Sequence, residues 1–272
     1  MNKIKKYILY IIILISLIVL IFSIYKIIAY KIDENEINNQ LNIIENNVII
    51  QEIKEKDEIE IIEQKEDIPK NNPYWDYINM NLINVNFNEL KSINDDVKGW
   101  ITVNGTNINY PFVQAKDNKY YLNHAFNKSY NSSGWVFLDY RNDLSNFNDK
   151  NTIIYAHSMK NKTMFGSLRN ILSSNWLKNS NNYVIKLSTE YENTLWQIFS
   201  IYHIPTTSSY IQTSFIDENE FNEFINMIIN RSAHNFNTKV TSNDRILTLS
   251  TCYNNTEKMV LHAKLIKKET KL

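Results

Sequence analysis

One stretch near the start, "YILYIIILISLIVLIFSIY", restricts this chain more than any other feature. From Tyr7 to Tyr25 it runs nineteen residues without a charge. As a helix it would extend about 28 Å, close to the thickness of a bilayer's hydrocarbon core. Every face is apolar, which does not suit a helix buried on one side in a soluble fold. A cleaved signal peptide would have a shorter apolar core and a small-x-small exit. The exit here reads "SIYKIIAYKIDE" and lacks that site, so we read an uncleaved transmembrane anchor. Lys3, Lys5 and Lys6 precede the run and favour an N-terminus on the inner side. Residues 1–6 are then cytoplasmic, 7–25 cross the membrane, and everything after Lys26 lies outside.

Within residues 26–72, residues 31–68 are charged and rich in Asn, and the segment runs out through "EQKEDIPKNNP". Ile37, Leu41, Ile44 and Val48 recur at helical spacing. We read an extracellular stalk or linker, with a short coiled coil as the alternative. Pro69 and Pro73 close it. The folded domain is expected over 73–272, long enough to bury a real core.

That domain starts with helical material, "YWDYINM" and "NFNELKSIND", and then turns to short strands. "GWITV" and "TNINYPFV" flank Asn104-Gly105, a two-residue hairpin signal. "GWVFLD", "NTIIYA", "YVIKLS", "TLWQIFSIYHI", "RILTLST" and "KMVLHAKLIK" follow. Helical interruptions are predicted near 117–122, 165–172 and 217–231. In the last, Phe221, Phe224, Ile225, Ile228 and Ile229 share one face. Eight strands with few helices imply a mainly β fold, a closed or nearly closed barrel.

Lys+Arg and Asp+Glu both total 29, so no overall charge draws the chain to nucleic acid. The one cysteine excludes an internal disulfide. No His, Cys and carboxylate cluster has metal-ligand spacing, and we expect neither metal nor cofactor.

The lone thiol carries the chemical argument. In "RILTLST" and the cysteine after it, Ile246, Thr248, Ser250 and Cys252 share one face, and Leu247 and Leu249 take the other. Cys252 therefore ends a strand on its more polar side, before the turn "YNNT". A lone cysteine is usually a small buried hydrophobe; a strand end next to a polar turn suits a reactive one equally well. A nucleophilic thiol needs a base or cation, because at an ordinary pKa of about 8.5 only a few per cent is thiolate at neutral pH. Five histidines compete. His124 and His234 sit in loops or helix ends, His203 late in a strand, and His262 inside the last strand. His157 follows "NTIIYA", at a strand end beside a loop, which is where scaffolds carry functional groups. An oxyanion donor is also required. Lys258 opens the strand after the turn, so a hairpin brings it back near the thiol; a solvated strand-edge lysine is the alternative. Arg245 lies seven residues before Cys252, roughly 23 Å along a strand, which is too far.

"TLSTC" near the end, "YAHSM" earlier, the anchor and the barrel pattern together resemble the sortases. "GWITVNGTNINYPFVQAKDNKYYLNHAF" followed by "GWVFLDYRND" is similar to class B sortases in particular, as is a long helix between the sixth and seventh strands, here 217–231. The resemblance covers about 73–268. It implies an eight-stranded sortase barrel behind N-terminal helices, acting on the outer face of a Gram-positive membrane. The implied reaction is transpeptidation: Cys252 attacks the threonine carbonyl of a C-terminal sorting signal, typically Asn-Pro-x-Thr, and forms a thioacyl-enzyme. An amine from a cell-wall peptide or its lipid-linked precursor then releases a new amide, with His157 transferring protons. The resemblance also carries substrate contacts to Asn118, Leu122, Tyr155, Thr206, Tyr210, Ile211 and Ser250. It departs at one place. The family's third catalytic residue is an arginine opening the last strand, and here Lys258 holds that position, keeping the charge without the planar fork.

Two other functions fit the sequence. A pilin-polymerising sortase would use a lysine side chain as its amine. A membrane-tethered binding module with an inert barrel would be indifferent to Cys252→Ala except in stability. An L,D-transpeptidase is excluded, because its motif sets a histidine within two residues of the cysteine, and His262 lies ten away.

Overall fold

The computed structural model describes residues 3–54, 59–62, 68–145 and 149–271. Parts of the expected cytoplasmic end (1–2) and linker (55–58, 63–67), together with residue 272, lie outside this range.

The chain begins with one long helix, α1 (Lys3–Asn47), the single described helix long and apolar enough to cross a membrane. Its apolar part is fully exposed, and at Asp33 the helix reaches the folded body. The stripe read from the sequence faces that body: Ile37 and Ile44 are buried, and Leu41 and Val48 pack beside them. After it, β1 (Ile50–Ile53) pairs antiparallel with β3 (Leu82–Val85), and β2 (Ile59–Ile61) pairs with the far end of β11 (Glu257–Thr270). The segment expected as a stalk is corrected accordingly. Its apolar stripe is part of the domain's core rather than a coiled-coil seam. Two short helices, α2 (Tyr74–Ile78) and α3 (Asn88–Ile93), lead into the barrel.

Eight strands close on themselves. They are β4 (Val97–Val103), β5 (Asn109–Val113), β6 (Phe137–Leu138), β7 (Asn151–Tyr155), β8 (Val184–Thr189), β9 (Glu192–Pro205), β10 (Ile246–Cys252) and β11. The order around the barrel is β4-β5-β6-β7-β10-β11-β9-β8, returning to β4. Only β5–β6 and β7–β10 run parallel. Closure leaves no exposed barrel edge, which a mainly β fold needs to avoid pairing with other chains. Trp100, Trp135 and Trp196 fill the core, and each indole N–H finds an acceptor: Asn109 Oδ1, the Pro111 carbonyl and Thr194 Oγ1. Truncating one such side chain costs about 3–5 kcal/mol.

The β4–β5 connection is not the two-residue hairpin the Asn104-Gly105 pair suggested. Val103 N–H bonds the Ile108 carbonyl, enclosing four residues. Thr106 Oγ1 donates to the Val103 carbonyl and accepts from Ile108 N–H, and this side-chain bridge selects the wider loop. Gly105 takes a φ of +68° inside it. Between β7 and β8 lies a short helix, α4 (Ser174–Leu177). The interruptions near 117–122 and 165–172 are 3-10 turns at Tyr120–Leu122 and Gly166–Asn170.

The long helix α5 (Glu218–Asn230) lies between the sixth and seventh barrel strands. Asp217 caps it by accepting from Glu220 N–H, and Phe221, Phe224, Ile225 and Ile228 press on β9, β10 and β11 from outside. This placement decides the two faces of β10. Leu247 and Leu249 join the barrel interior, and Ile246 packs under α5. By alternation Thr248, Ser250 and Cys252 face outward with Ile246.

Candidate active site

Cys252 is the last residue of β10, and His157 stands two residues beyond the end of β7. These strands are parallel neighbours in the register Ser250↔Tyr155. Each functional residue lies two positions past that pair, so both emerge level at the same rim. The strand ends are locked there: Thr251 Oγ1 donates to the Ala156 carbonyl at 2.7 Å. On the other side of β10, the antiparallel partner of Cys252 is Lys258, whose Nζ donates to Sγ at 3.1 Å. The sulfur is half-buried, neither sealed in the core nor out on a mobile tip.

Cys252, His157 and Lys258 line one groove of about 790 Å³. Asn118, Leu122, Tyr155, Thr206, Tyr210, Ile211 and Ser250 line the same groove, so all ten residues singled out in the sequence come together. The other histidines are engaged elsewhere. His262 is fully buried between Tyr202 OH and Thr248 Oγ1, and burial lowers its pKa to about 3. His124 stacks on Tyr120, His203 lies against Tyr253 and Glu257, and His234 packs on Tyr183. Arg245 forms a bidentate pair with Glu192.

His157 Nε2 lies 2.7 Å from the Leu122 carbonyl. A carbonyl only accepts, so Nε2 carries the proton in this arrangement, and the lone pair of a neutral ring is on Nδ1. Gly134, at φ +59°, passes close beside the Leu122 carbonyl where no side chain would fit. A Cβ there would lie 2.8 Å from the Leu122 oxygen and 2.4 Å from that of Tyr121.

One wall of the groove is organised by a residue that sequence reasoning missed. Asp139 is sealed from solvent and accepts from both Nε and Nη2 of Arg141, from Asn118 Nδ2 and from Tyr155 OH. Burial alone would raise its pKa; the Arg141 fork and the remaining hydrogen bonds outweigh that and hold it below the ordinary carboxylate range. Arg141 also donates to the Ile211 carbonyl at 2.8 Å. One carboxylate thus ties Asn118, Tyr155 and Ile211 to a common frame. Burial, and next the charge of Asp139, push the Tyr155 phenol upward, and burial does the same for Tyr210. Both stay neutral; Tyr155 donates to Asp139, and Tyr210 OH shares a hydrogen bond with Ser250 Oγ at 3.0 Å. Thr206 is pinned to the β10–β11 turn by its N–H and hydroxyl, which both meet the Thr256 carbonyl. The only signal for Asp139 was its place at the end of "GWVFLD" with an arginine two residues on, a local pattern shared by many surface turns.

A thiol held at the end of a rigid sheet, with an ammonium and an imidazole on the adjoining segments, is the equipment of a cysteine enzyme that works through an acyl intermediate. Comparison with known proteins agrees. The sortase-domain family model matches residues 101–266. Sortase B of Listeria monocytogenes is 39% identical over 190 residues, covering 66% of this chain and 74% of that protein. A Staphylococcus aureus sortase B–substrate complex is 36% identical with a TM-score of 0.62, over 66% of this chain and 84% of that one. A Bacillus anthracis protein described as similar to sortase B is 34% identical with a TM-score of 0.66, over 88% of this chain and 97% of that one. The chain belongs to the sortase family, as a cysteine transpeptidase of the sortase B type.

Proposed function

We propose that this enzyme is anchored by residues 7–25 with its N-terminus inside, and that on the outer face it joins secreted proteins to a cell-wall amine. The groove receives a C-terminal sorting signal of the Asn-Pro-x-Thr kind. Cys252 passes its thiol proton to His157 and attacks the threonine carbonyl as a thiolate, giving a tetrahedral oxyanion that the Lys258 ammonium stabilises. Collapse breaks the peptide bond, and His157 gives a proton to the leaving amine. The thioacyl-enzyme is then attacked by the acceptor amine, whose proton passes to His157, and the thiol is regenerated. Asn118, Leu122, Tyr155, Thr206, Tyr210, Ile211 and Ser250 bind the signal.

The observation that carries this reading is the convergence of Cys252, Lys258 and His157 on one open groove, with Lys258 Nζ on the sulfur. The test is to incubate the detergent-solubilised full chain with a panel of sorting-signal peptides and weigh the intact protein. An adduct on Cys252 with the mass of the peptide's N-terminal part through threonine is expected. Hydroxylamine or an oligoglycine amine should discharge it. No adduct with any peptide would defeat the proposal.

A further inference from the structure

Helix α1 carries three acidic side chains within a single turn, Asp33, Glu34 and Glu36, and all three reach the loops that meet at His157. The first loop starts at His157 itself. It is closed by Phe165 N–H on the His157 carbonyl at 2.9 Å and by a bridge between Ser158 and Met164. Inside it, Lys162 and Met164 adopt φ of 66° and 53°. Non-glycine residues hold that left-handed conformation only where the surroundings impose it. Asn161 imposes it from within, its Oδ1 accepting from Thr163 N–H and Oγ1. The Asn161 amide then donates to Glu34 Oε1 at 2.9 Å.

The second loop runs from Leu122, whose carbonyl accepts from His157, to Gly134. The buried Asn131 is its hub. Its N–H bonds the Asn123 carbonyl, and its side-chain amide donates to the Asp33 carbonyl and to Glu36 Oε2. Ser132 N–H donates to Asp33 Oδ2 at 3.1 Å, and Ser129 Oγ to Glu36 Oε1 at 2.5 Å.

We infer that this turn of α1 is a clamp that orients His157, with Glu34, Asp33 and Glu36 as positioning residues. Glu34 holds the loop that carries the imidazole, and Asp33 and Glu36 hold the loop whose carbonyl fixes its Nε2–H. None of the three lines the groove, so they act through the histidine's geometry and not on substrate. The helix that leaves the apolar stretch is thereby mechanically connected to the proton-transfer group. The inference rests on His157 having that role; the clamp itself rests on the hydrogen bonds alone.

The test compares three full-length proteins in detergent: wild type, the triple variant Asp33→Ala/Glu34→Ala/Glu36→Ala, and the triple variant Asp33→Asn/Glu34→Gln/Glu36→Gln. Each amide removes the charge, keeps one acceptor oxygen and puts a donor NH2 in place of the other, so most but not all of the acceptor bonds can re-form. In the alanine variant the Phe165 and Asn131 N–H groups should exchange about tenfold faster, with Leu249 and Leu261 in the barrel unchanged. The His157 ring resonances should shift in the same protein. Its kcat for thioacyl formation should fall about tenfold at a KM within about twofold of wild type, and the amide variant should recover most of the loss. Unchanged exchange and ring resonances would overturn the inference, and so would a change in KM alone or an amide variant as impaired as alanine. If wild type forms no adduct with any peptide, the proposed function has failed instead, and the exchange and ring resonances decide the clamp by themselves.

Discussion

The two ends of strand β10 are built to opposite specifications. At its start, Arg245 meets Glu192 through two parallel hydrogen bonds of 2.7 and 3.0 Å, with little of either side chain exposed. At its finish, Lys258 reaches Cys252 through one contact of 3.1 Å beside an open groove. The fork at the closed end is fixed in one plane, and losing half of it would strand a buried charge. The point charge at the open end can follow a reacting atom, because nothing pairs it in a fixed plane. Cohesion and reactivity are thus placed about one strand length apart on a shared scaffold, and substitutions should separate them.

The sharpest separation is expected from Cys252→Ala. It should abolish the thioacyl adduct and leave the melting temperature within about 2 °C of wild type, since a half-buried thiol contributes little packing. At the other end, Arg245→Ala should cost about 3–5 kcal/mol in urea unfolding, while the folded fraction keeps its specific activity. A matching loss of activity per folded molecule would show that the two ends are not independent. Lys258→Ala should slow acylation about 100-fold, and Lys258→Arg should stay within about tenfold of wild type. Equal rates in all three proteins would remove Lys258 from the mechanism.

The smallest effect concerns His262, midway between the ends. Its folded pKa is about 3, against 6.5 for an ordinary histidine. The unfolded chain therefore takes up a proton that the folded one refuses. His262's contribution is complete above pH 6.5 and is lost as pH falls towards 3, by at most about 1.4 kcal/mol per unit. His262→Asn should flatten that slope in denaturant midpoints recorded from pH 7 to 5, and an unchanged slope would assign the acid sensitivity to other groups.

Period-two alternation was enough to set Cys252 on the outward face of its strand and to mark His157 as a strand-end residue, because both depend on local spacing. The barrel followed from the count of short strands, and α5 from its apolar face. What stayed hidden depends on partners distant in the chain. The stripe of Ile37 and Ile44 reads the same whether it meets another helix or the barrel, and only the fold supplies the partner. Asp139 looks like a turn residue until Arg141, Asn118 and Tyr155 converge on it. The width of the β4–β5 loop turned on the hydroxyl of Thr106, directly after the Asn104-Gly105 pair.

The unbroken course of α1 from Lys3 to Asn47 has a mechanical result. If the apolar stretch lies in a bilayer, only about 12 Å of helix separates Tyr25 from the turn that grips the barrel. The enzyme then stands on a stiff post and does not swing on a leash. On the function proposed above, the groove would keep one height and one heading above the lipid, and a chain to be joined would have to present its tail at that level.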